Sequence, residues 1–380
     1  MSSHQQLIPD PRHWNQGVAA RFARRSPLYH QFSQGMQDDP ELLALLSLVD
    51  PNQPMSVLFF SAVNLLAWRM QHRLLTEFYP YFCSQPRPAS DAYPVFRQCC
   101  LEHADDLRLL LPHARLQTNE VTRCANLLPA FELISRRAGR QPLALIEVGA
   151  SAGLNLNWDR YGYRYGNLLV GDQQAPVQLA CTLTGTHLPP LPEVMPLIAQ
   201  RIGIDLAPLD PQSTLDVEWL LACIWPEEIQ RYRLLTAALT VARQHPPTML
   251  AGDACELLPE VIASMPPEAT ICLWHSYALS QGPTVVYERV VEELLEASQV
   301  RDIYHLALEL DPARGPEPRL ELFVYREGKL ASYDCFATCA VHGETMAWHG
   351  APTGVQPPRH PRPIAQKSGT SPHGDERRSS

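Results

Sequence analysis

Lysine is almost missing from this 380-residue chain: only Lys329 and Lys367 occur, and neither follows a glycine-rich phosphate loop or sits in an apolar setting. A Walker-type nucleotide site, which needs its lysine on the phosphates, is therefore excluded, and a Schiff-base mechanism has no suitable amine. Long apolar runs are missing too. None approaches the ~20 residues of a membrane helix, and residues 1–10 lack the charged-then-apolar order of a signal peptide, so a cytoplasmic protein without a membrane partner is expected. Positive charge is in deficit: the formal net charge of −9 argues against broad attraction to nucleic acid. The ten cysteines lack the paired spacing of a zinc ribbon or disulfide scaffold and read as small buried apolar residues. Cys335-x3-Cys339-x2-His342 has metal-ligating residue types but no evident fourth ligand, and no metal is expected there.

With 45% hydrophobic residues, the chain has enough apolar material for a large core, in a principal domain with a smaller companion. From residue 12 to about residue 140 the pattern is helical, broken by prolines. Residues 57–68 are apolar nearly all round, and residues 41–49 and 125–137 repeat apolar positions at i, i+3 and i+4. No strand pattern occurs here, so residues 1–140 are expected to form a helical N-terminal domain or cap. Within it, Asn119-Glu120-Val121-Thr122-Arg123-Cys124 sets an acid and a base three apart, the ordinary spacing of a surface ion pair on a helix, with a substrate contact as the alternative reading.

The pattern changes at Leu143-Ala144-Leu145-Ile146-Glu147-Val148. This reads as a buried strand, and Gly149-Ala150-Ser151-Ala152-Gly153 behind it reads as a tight turn leading into a short helix. Alternating aromatics at 161–166 suggest a strand or hairpin, 177–183 a further strand, 193–201 a helix, and 202–210 a short strand or loop carrying two acids. Helical patterning over 215–243 breaks at Trp225-Pro226, where proline opens a new helix with Glu227 and Glu228 in its first turn. Two apolar strands follow, one ending in Gly252-Asp253-Ala254 and one in Trp274-His275-Ser276. A helix at 284–297, a strand at 302–309 and a closing hairpin of 319–325 with 330–338 complete the pattern, and the tail at 351–380 has a disordered composition. Strands alternating with helices predict an α/β fold over 141–350, with a parallel sheet and an antiparallel edge.

Three chemistries suit the turn at 149–153. A nucleophile elbow, Gly-x-Ser-x-Gly, would use Ser151 with a downstream acid and one of His275, His305, His342 or His349, making a serine hydrolase. That fold needs several strands before the elbow, and the residues before 143 read as helices. A cofactor cradle suits a parallel sheet, which binds ligands outside the carboxyl ends of its strands, where small residues let the backbone approach. A bare packing point in a non-catalytic binding module explains the glycines but leaves the cost of burying Glu147 without a purpose.

The first turn, the Gly-Asp-Ala turn, the next strand end and the hairpin, in that order, resemble class I S-adenosylmethionine-dependent methyltransferases. The resemblance implies a Rossmann-like, mostly parallel sheet, S-adenosylmethionine as cofactor and methyl transfer as the reaction. It assigns Glu147 to the cofactor's ammonium side and Gly149, Ala150, Ser151, Gly153 and Asn155 to the cradle. Gly252, Asp253 and Ala254 fall to the adenine side, Trp274 to the cofactor-binding set, and His275 and Tyr277 to the substrate-facing, catalytic position. An acid for the ribose is expected about 20 residues past the glycines. Asp172 is the nearest, with Asp159, Asp205 and Asp210 as rivals. Taken with Ser26-Pro27-Leu28-Tyr29, residues 119–124, residues 205–210 and Trp219 to Pro226, these motifs make the chain similar to the bacterial family called domain of unknown function 2332, over nearly its whole length except the tail. No motif names the methyl acceptor, small molecule or protein, or the oligomeric state.

Overall fold

The run of apolar residues at 143–148 becomes the centre of a nine-stranded sheet in the computed structural model, which describes residues 22–350. The tail at 351–380 lies outside the described residues. The strands are β1 (Leu143–Val148), β2 (Gly162–Tyr165), β3 (Leu168–Gly171), β4 (Gln178–Ala180), β5 (Thr182–Leu183), β6 (Ile198–Asp205), β7 (Thr248–Ala251), β8 (Thr270–Ser276), β9 (Ile303–Glu309), β10 (Arg319–Arg326), β11 (Lys329–Cys339) and β12 (Thr345–Trp348). Their order in the main sheet is β5-β12-β11-β10-β9-β8-β1-β6-β7, while β3-β2-β4 form a separate small sheet. β7, β6, β1, β8 and β9 run parallel. The hairpin β10–β11 is antiparallel to β9, as its sequence pattern predicts. β12 and β5 extend that edge; β12 has no counterpart among the expected strands.

Parallel strands covered on both faces are apolar throughout, which is why β1 shows no alternation. Leu143 and Leu145 join a core with helix Cys124–Arg137. Ala144, Ile146 and Val148 join a second core, with helices Ala254–Ala263 and Thr284–Ala297.

Among the described residues no strand precedes Leu143, and the N-terminal helices build a third core, from Phe22 to Ala114. Helices Pro27–Met36 and Pro40–Leu46 start at side-chain caps, Ser26 and Asp39, each followed by a proline whose missing N–H costs nothing there. Helix Met55–Arg69, apolar on nearly every side, is buried on several sides. Its one buried amide, Asn64, donates to the Tyr29 hydroxyl (2.7 Å) and to Ala222 O (3.2 Å), and accepts from the Tyr79 hydroxyl (2.7 Å). Ala222 ends helix Thr214–Ala222, in the crossover from β6 to β7, so this amide ties the helical region to the sheet's connections. Helix Cys124–Arg137, by contrast, belongs to the core of the sheet.

Two local expectations are corrected. Residues 198–201, expected to end a helix, instead begin the strand that continues through 202–205, where a short strand or loop was expected; isoleucines at 198, 202 and 204 suit a half-covered sheet position, and pairing with β1 overrides local helical pattern. The second helix of the crossover begins at Ile229, past Glu227 and Glu228. Glu227 instead accepts from Leu28 N (2.8 Å) and Ser26 Oγ (2.7 Å), at the start of helix Pro27–Met36. Among the described residues no helix is long and apolar enough to cross a membrane. All ten cysteines are free, and every one except Cys83 is buried.

Candidate functional site

From β1 the chain moves outward to β6 and β7, then crosses back to β8 on the other side of β1. An open α/β sheet binds its ligand at such a reversal, outside the carboxyl ends of the strands. The edge here carries Gly149 after β1, Asp205 ending β6, Gly252 and Asp253 after β7, and Ser276 and Tyr277 at the end of β8.

The turn after β1 is left-handed at alternate residues: Gly149 (φ 74°), Ser151 (φ 54°) and Gly153 (φ 68°). A Cβ on Gly149 would lie 2.3 Å from the Ala278 Cβ, and one on Gly153 would lie 2.7 Å from both Met249 Sδ and Pro247 Cγ. Gly153 is thus required by packing alone. The Asp205 carboxylate accepts from Ser151 N (2.8 Å) and Ala207 N (3.0 Å). From the other side, Asn119 Nδ2 donates to Ala150 O (3.2 Å), and the Ser151 hydroxyl donates to Gln117 Oε1 (2.7 Å). Ser151 therefore faces a carboxamide, which cannot take its proton, so a nucleophile at this position has no base. Behind the turn stands the short 3-10 helix Leu154–Arg160.

Glu147 is 3% exposed and pairs in register with Trp274 of β8. Both side chains point toward helix Cys124–Arg137, because residues two apart on a strand share a face and Leu145 faces that helix. Glu147 Oε2 and the Trp274 indole N–H make no hydrogen bond of full geometry, although the indole and Asn155 lie close enough to the carboxyl to act on it as hydrogen-bond partners. Burial pushes the Glu147 carboxyl up to about 8; nearby Asn155 and Trp274 pull it back, Asp205 adds to the rise and Arg123 opposes it. Asn155 itself accepts from the Cys124 thiol (3.4 Å). A buried polar atom without a partner carries a cost on the order of 1–3 kcal/mol, which a folded protein avoids unless a ligand or another group completes it.

Glu120 and Arg123, with the spacing of a surface ion pair, are instead 4% and 8% exposed and do not bond each other. Glu120 lies 2.6 Å from Arg231 Nε and 3.2 Å from His342 Nδ1. Burial opposes ionisation there, yet His342, Arg231 and Arg123 outweigh it and hold the carboxyl at about 2. Arg123 reaches across to the sheet edge: Nε donates to Val341 O (3.1 Å) and Nη1 to Ser276 O (3.3 Å). Its guanidinium lies 4.1 Å over the Tyr277 ring. Tyr277 is itself left-handed (φ 55°), its hydroxyl buried without a partner. Burial pushes that phenol above its ordinary pKa.

His275 is not brought to these side chains. It alternates with Trp274 and Ser276, so it faces the opposite core, and it is fully buried. Its Nδ1–H donates to Glu309 Oε1 (2.6 Å), its Nε2 sits 2.9 Å from His305 Nε2, and Glu309 also accepts from Ala278 N (3.0 Å) and the Ser280 hydroxyl. Both ring nitrogens are engaged, as in a satisfied core histidine. Asp172 is likewise elsewhere: it follows β3 in the small sheet, exposed, accepting from Gln174 N (2.8 Å). The acid ending the strand beside β1 is Asp205. Asp159 bonds Arg201 (2.8 Å), and Asp210 accepts from Gln212 N (2.8 Å). Asp253 caps helix Ala254–Ala263 by accepting from Cys255 N (2.9 Å). Cys335 and Cys339 are buried on β11, while His342 turns to Glu120. Gln117 reaches the edge unannounced by sequence, whereas Arg123 belongs to the acid–base pair for which a substrate contact is the alternative to a surface ion pair.

Fold and site together define a mixed α/β protein with a cluster of buried polar side chains at the reversal point of a mostly parallel sheet, joined there by the segment leading out of an N-terminal helical region. The chain belongs to the family described as "uncharacterized protein conserved in bacteria (DUF2332)", whose model matches residues 15–348. No curated protein matches the chain.

Proposed function

We propose that this cluster binds S-adenosylmethionine on a Rossmann-like sheet and that the protein is a methyltransferase. The observation that carries this reading is the buried carboxyl of Glu147, with one oxygen outside any hydrogen bond of full geometry, beside a left-handed glycine turn at the reversal point. An ammonium group would complete that oxygen. Glu147 and Asn155 would hold the cofactor's ammonium side, and the backbone of Gly149, Ala150 and Ser151 would pass beneath it. Asp205, in place of Asp172, would take the ribose hydroxyls; its two oxygens accept two backbone N–H bonds and keep lone pairs free. Leu206, 80% exposed directly after it, offers apolar surface for the base, and Asp253, between Gly252 and Ala254, offers a carboxylate for the adenine amino group.

The cofactor, when bound, supplies an activated methyl group. The chain's own contribution is positioning an acceptor in line with it and excluding water. Tyr277, with its unpaired hydroxyl at the end of β8, is the side chain for orienting an acceptor; His275, sealed in the opposite core, is not. Calorimetric titration with S-adenosylmethionine and S-adenosylhomocysteine tests the reading. Binding by the wild type and its loss in Gly149→Arg, with the fold checked by circular dichroism, support it; no binding by the wild type rejects it.

A further inference from the structure

Ser151 sits where a glycine would carry less strain. Its φ of 54° is left-handed, between two glycines that adopt such angles without a Cβ, so this side chain is held at a backbone cost. A nucleophilic role does not account for it, because the hydroxyl faces a carboxamide. All of its polar groups are engaged: N donates to Asp205 Oδ2 (2.8 Å), O accepts from Leu209 N (3.1 Å), and the hydroxyl donates to Gln117 Oε1 (2.7 Å). The other end of the same carboxamide, Gln117 Nε2, donates to Ala207 O (3.0 Å). Gln117 therefore bonds both the turn after β1 and the loop after β6, two neighbouring strands of the sheet. Asp205 joins the same two residues through Ser151 N and Ala207 N. Ser151 and Ala207 are thus tied twice, once by a carboxylate that ends a strand and once by a carboxamide from the N-terminal side.

Gln117 is delivered by residues 114–120, a strap outside any helix or strand that leads into the 3-10 turn Val121–Arg123. The strap is anchored away from the sheet edge: Leu116 N donates to Gln53 Oε1 (3.1 Å), and the Trp219 indole N–H donates to Arg115 O (2.9 Å). At the edge, Asn119 Nδ2 adds a bond to Ala150 O (3.2 Å). We propose that Gln117 and Ser151 form a clamp through which the N-terminal helical region sets the spacing of the two loops, making Gln117 a positioning residue of the ligand site. A carboxamide suits the task because one end accepts from the hydroxyl while the other donates to the carbonyl. Loops held at a fixed spacing need no ordering when a ligand arrives, and that preorganisation appears as affinity. The positioning role rests on the reading of this sheet edge as a cofactor site, but it gives Gln117 no group of the cofactor to hold. It supplies a reason for a serine at the centre of Gly-x-Ser-x-Gly in a turn that has no base for a nucleophile.

Native-state hydrogen exchange on the full chain, without ligand, reads the clamp at the amides of Ser151, Ala207 and Leu209. Gln117→Ala should speed their exchange about tenfold. Ser151→Ala, which removes only the hydroxyl, should do nearly the same, and the double variant should add little to either, because each single change already breaks the clamp. Unchanged exchange in Gln117→Ala, or effects that multiply in the double variant, overturns the clamp. Calorimetry with S-adenosylhomocysteine reads the positioning role: both single variants should bind about tenfold more weakly than the wild type, and the double variant no more weakly than either. Affinity that stays at the wild-type level while exchange is faster makes Gln117 a structural contact only and overturns that role. If the wild type itself binds no S-adenosylhomocysteine, the cofactor reading falls, and the exchange measurement still decides the clamp.

Discussion

Glu147→Gln should stabilise the protein, and by an amount that grows with pH. Burial raises the folded-state pKa of this carboxyl from its ordinary 4.5 to about 8, with Asp205 adding to the rise and Asn155, Trp274 and Arg123 opposing it. The folded protein therefore keeps a proton that the unfolded chain has already lost between pH 4.5 and 8. Stability falls with pH wherever the folded state binds more protons, here by about 1.4 kcal/mol per pH unit across that window. The accumulated cost is under about 1 kcal/mol at pH 5 and about 3 kcal/mol at pH 7, as an order of magnitude. Glutamine cannot titrate, so the cost disappears with it. Urea denaturation of both proteins at pH 5 and pH 8 measures the effect, and taking the difference between them cancels every other titrating group and any pH-independent change in packing. The variant should gain several kcal/mol relative to the wild type between the two pH values, by the same linkage. An equal difference at both pH values, or a variant that loses ground as pH rises, would refute the reasoning, because either result means that Glu147 is ionised and paired.

Four further outcomes follow from the geometry. Asn64→Ala leaves two phenol groups and a carbonyl without their amide, so thermal or urea melting should register a loss of about 4 kcal/mol. His275→Phe removes one of the three hydrogen bonds to the buried Glu309 carboxylate and its charge partner, and should cost about 3 kcal/mol in stability, yet change S-adenosylhomocysteine affinity less than about threefold; a large loss of affinity with stability intact would return His275 to the site. Gly149→Ala meets Ala278 and an unfavourable φ, and a destabilisation of about 2 kcal/mol is expected from chemical denaturation. A fluorophosphonate should fail to label the wild type; labelling that vanishes in Ser151→Ala would revive the hydrolase, despite the carboxamide facing the hydroxyl.

Much of the sheet was legible because its strands are covered on both faces and so read as continuous apolar runs bounded by turn residues. β1, β8 and β9 emerged this way, and helix Thr284–Ala297 matches its amphipathic pattern residue for residue. β6 was not legible. Residues 193–201 have no distinguishing period, and their identity as a strand is decided by pairing with β1, more than fifty residues earlier in the chain. That one miss also displaced the expected ribose acid, since Asp172 stands in for the second-strand acid only if β3 belongs to the main sheet. Strand alternation sends Trp274 and His275 to opposite faces, which the joint assignment of both to one site overlooked, and which face bears Glu147 and Arg123 depends on where helix Cys124–Arg137 packs. Arg123 was hidden for a similar reason: an acid and a base three apart look the same on a surface helix and on one buried under a loop. What separates the cases is the loop at 340–344, which receives Arg123 through Val341 O and Glu120 through His342.

The central claim, that Glu147 waits for an ammonium group at the glycine turn, is tested most directly by counting protons. S-adenosylhomocysteine is titrated calorimetrically at pH 7 in two buffers of different ionisation enthalpy. With a free-state pKa of about 8, the carboxyl is mostly protonated at that pH, and docking the ammonium should expel about 0.9 proton per ligand, an effect lost in Glu147→Gln. No binding, or binding with the same apparent enthalpy in both buffers, would contradict the claim.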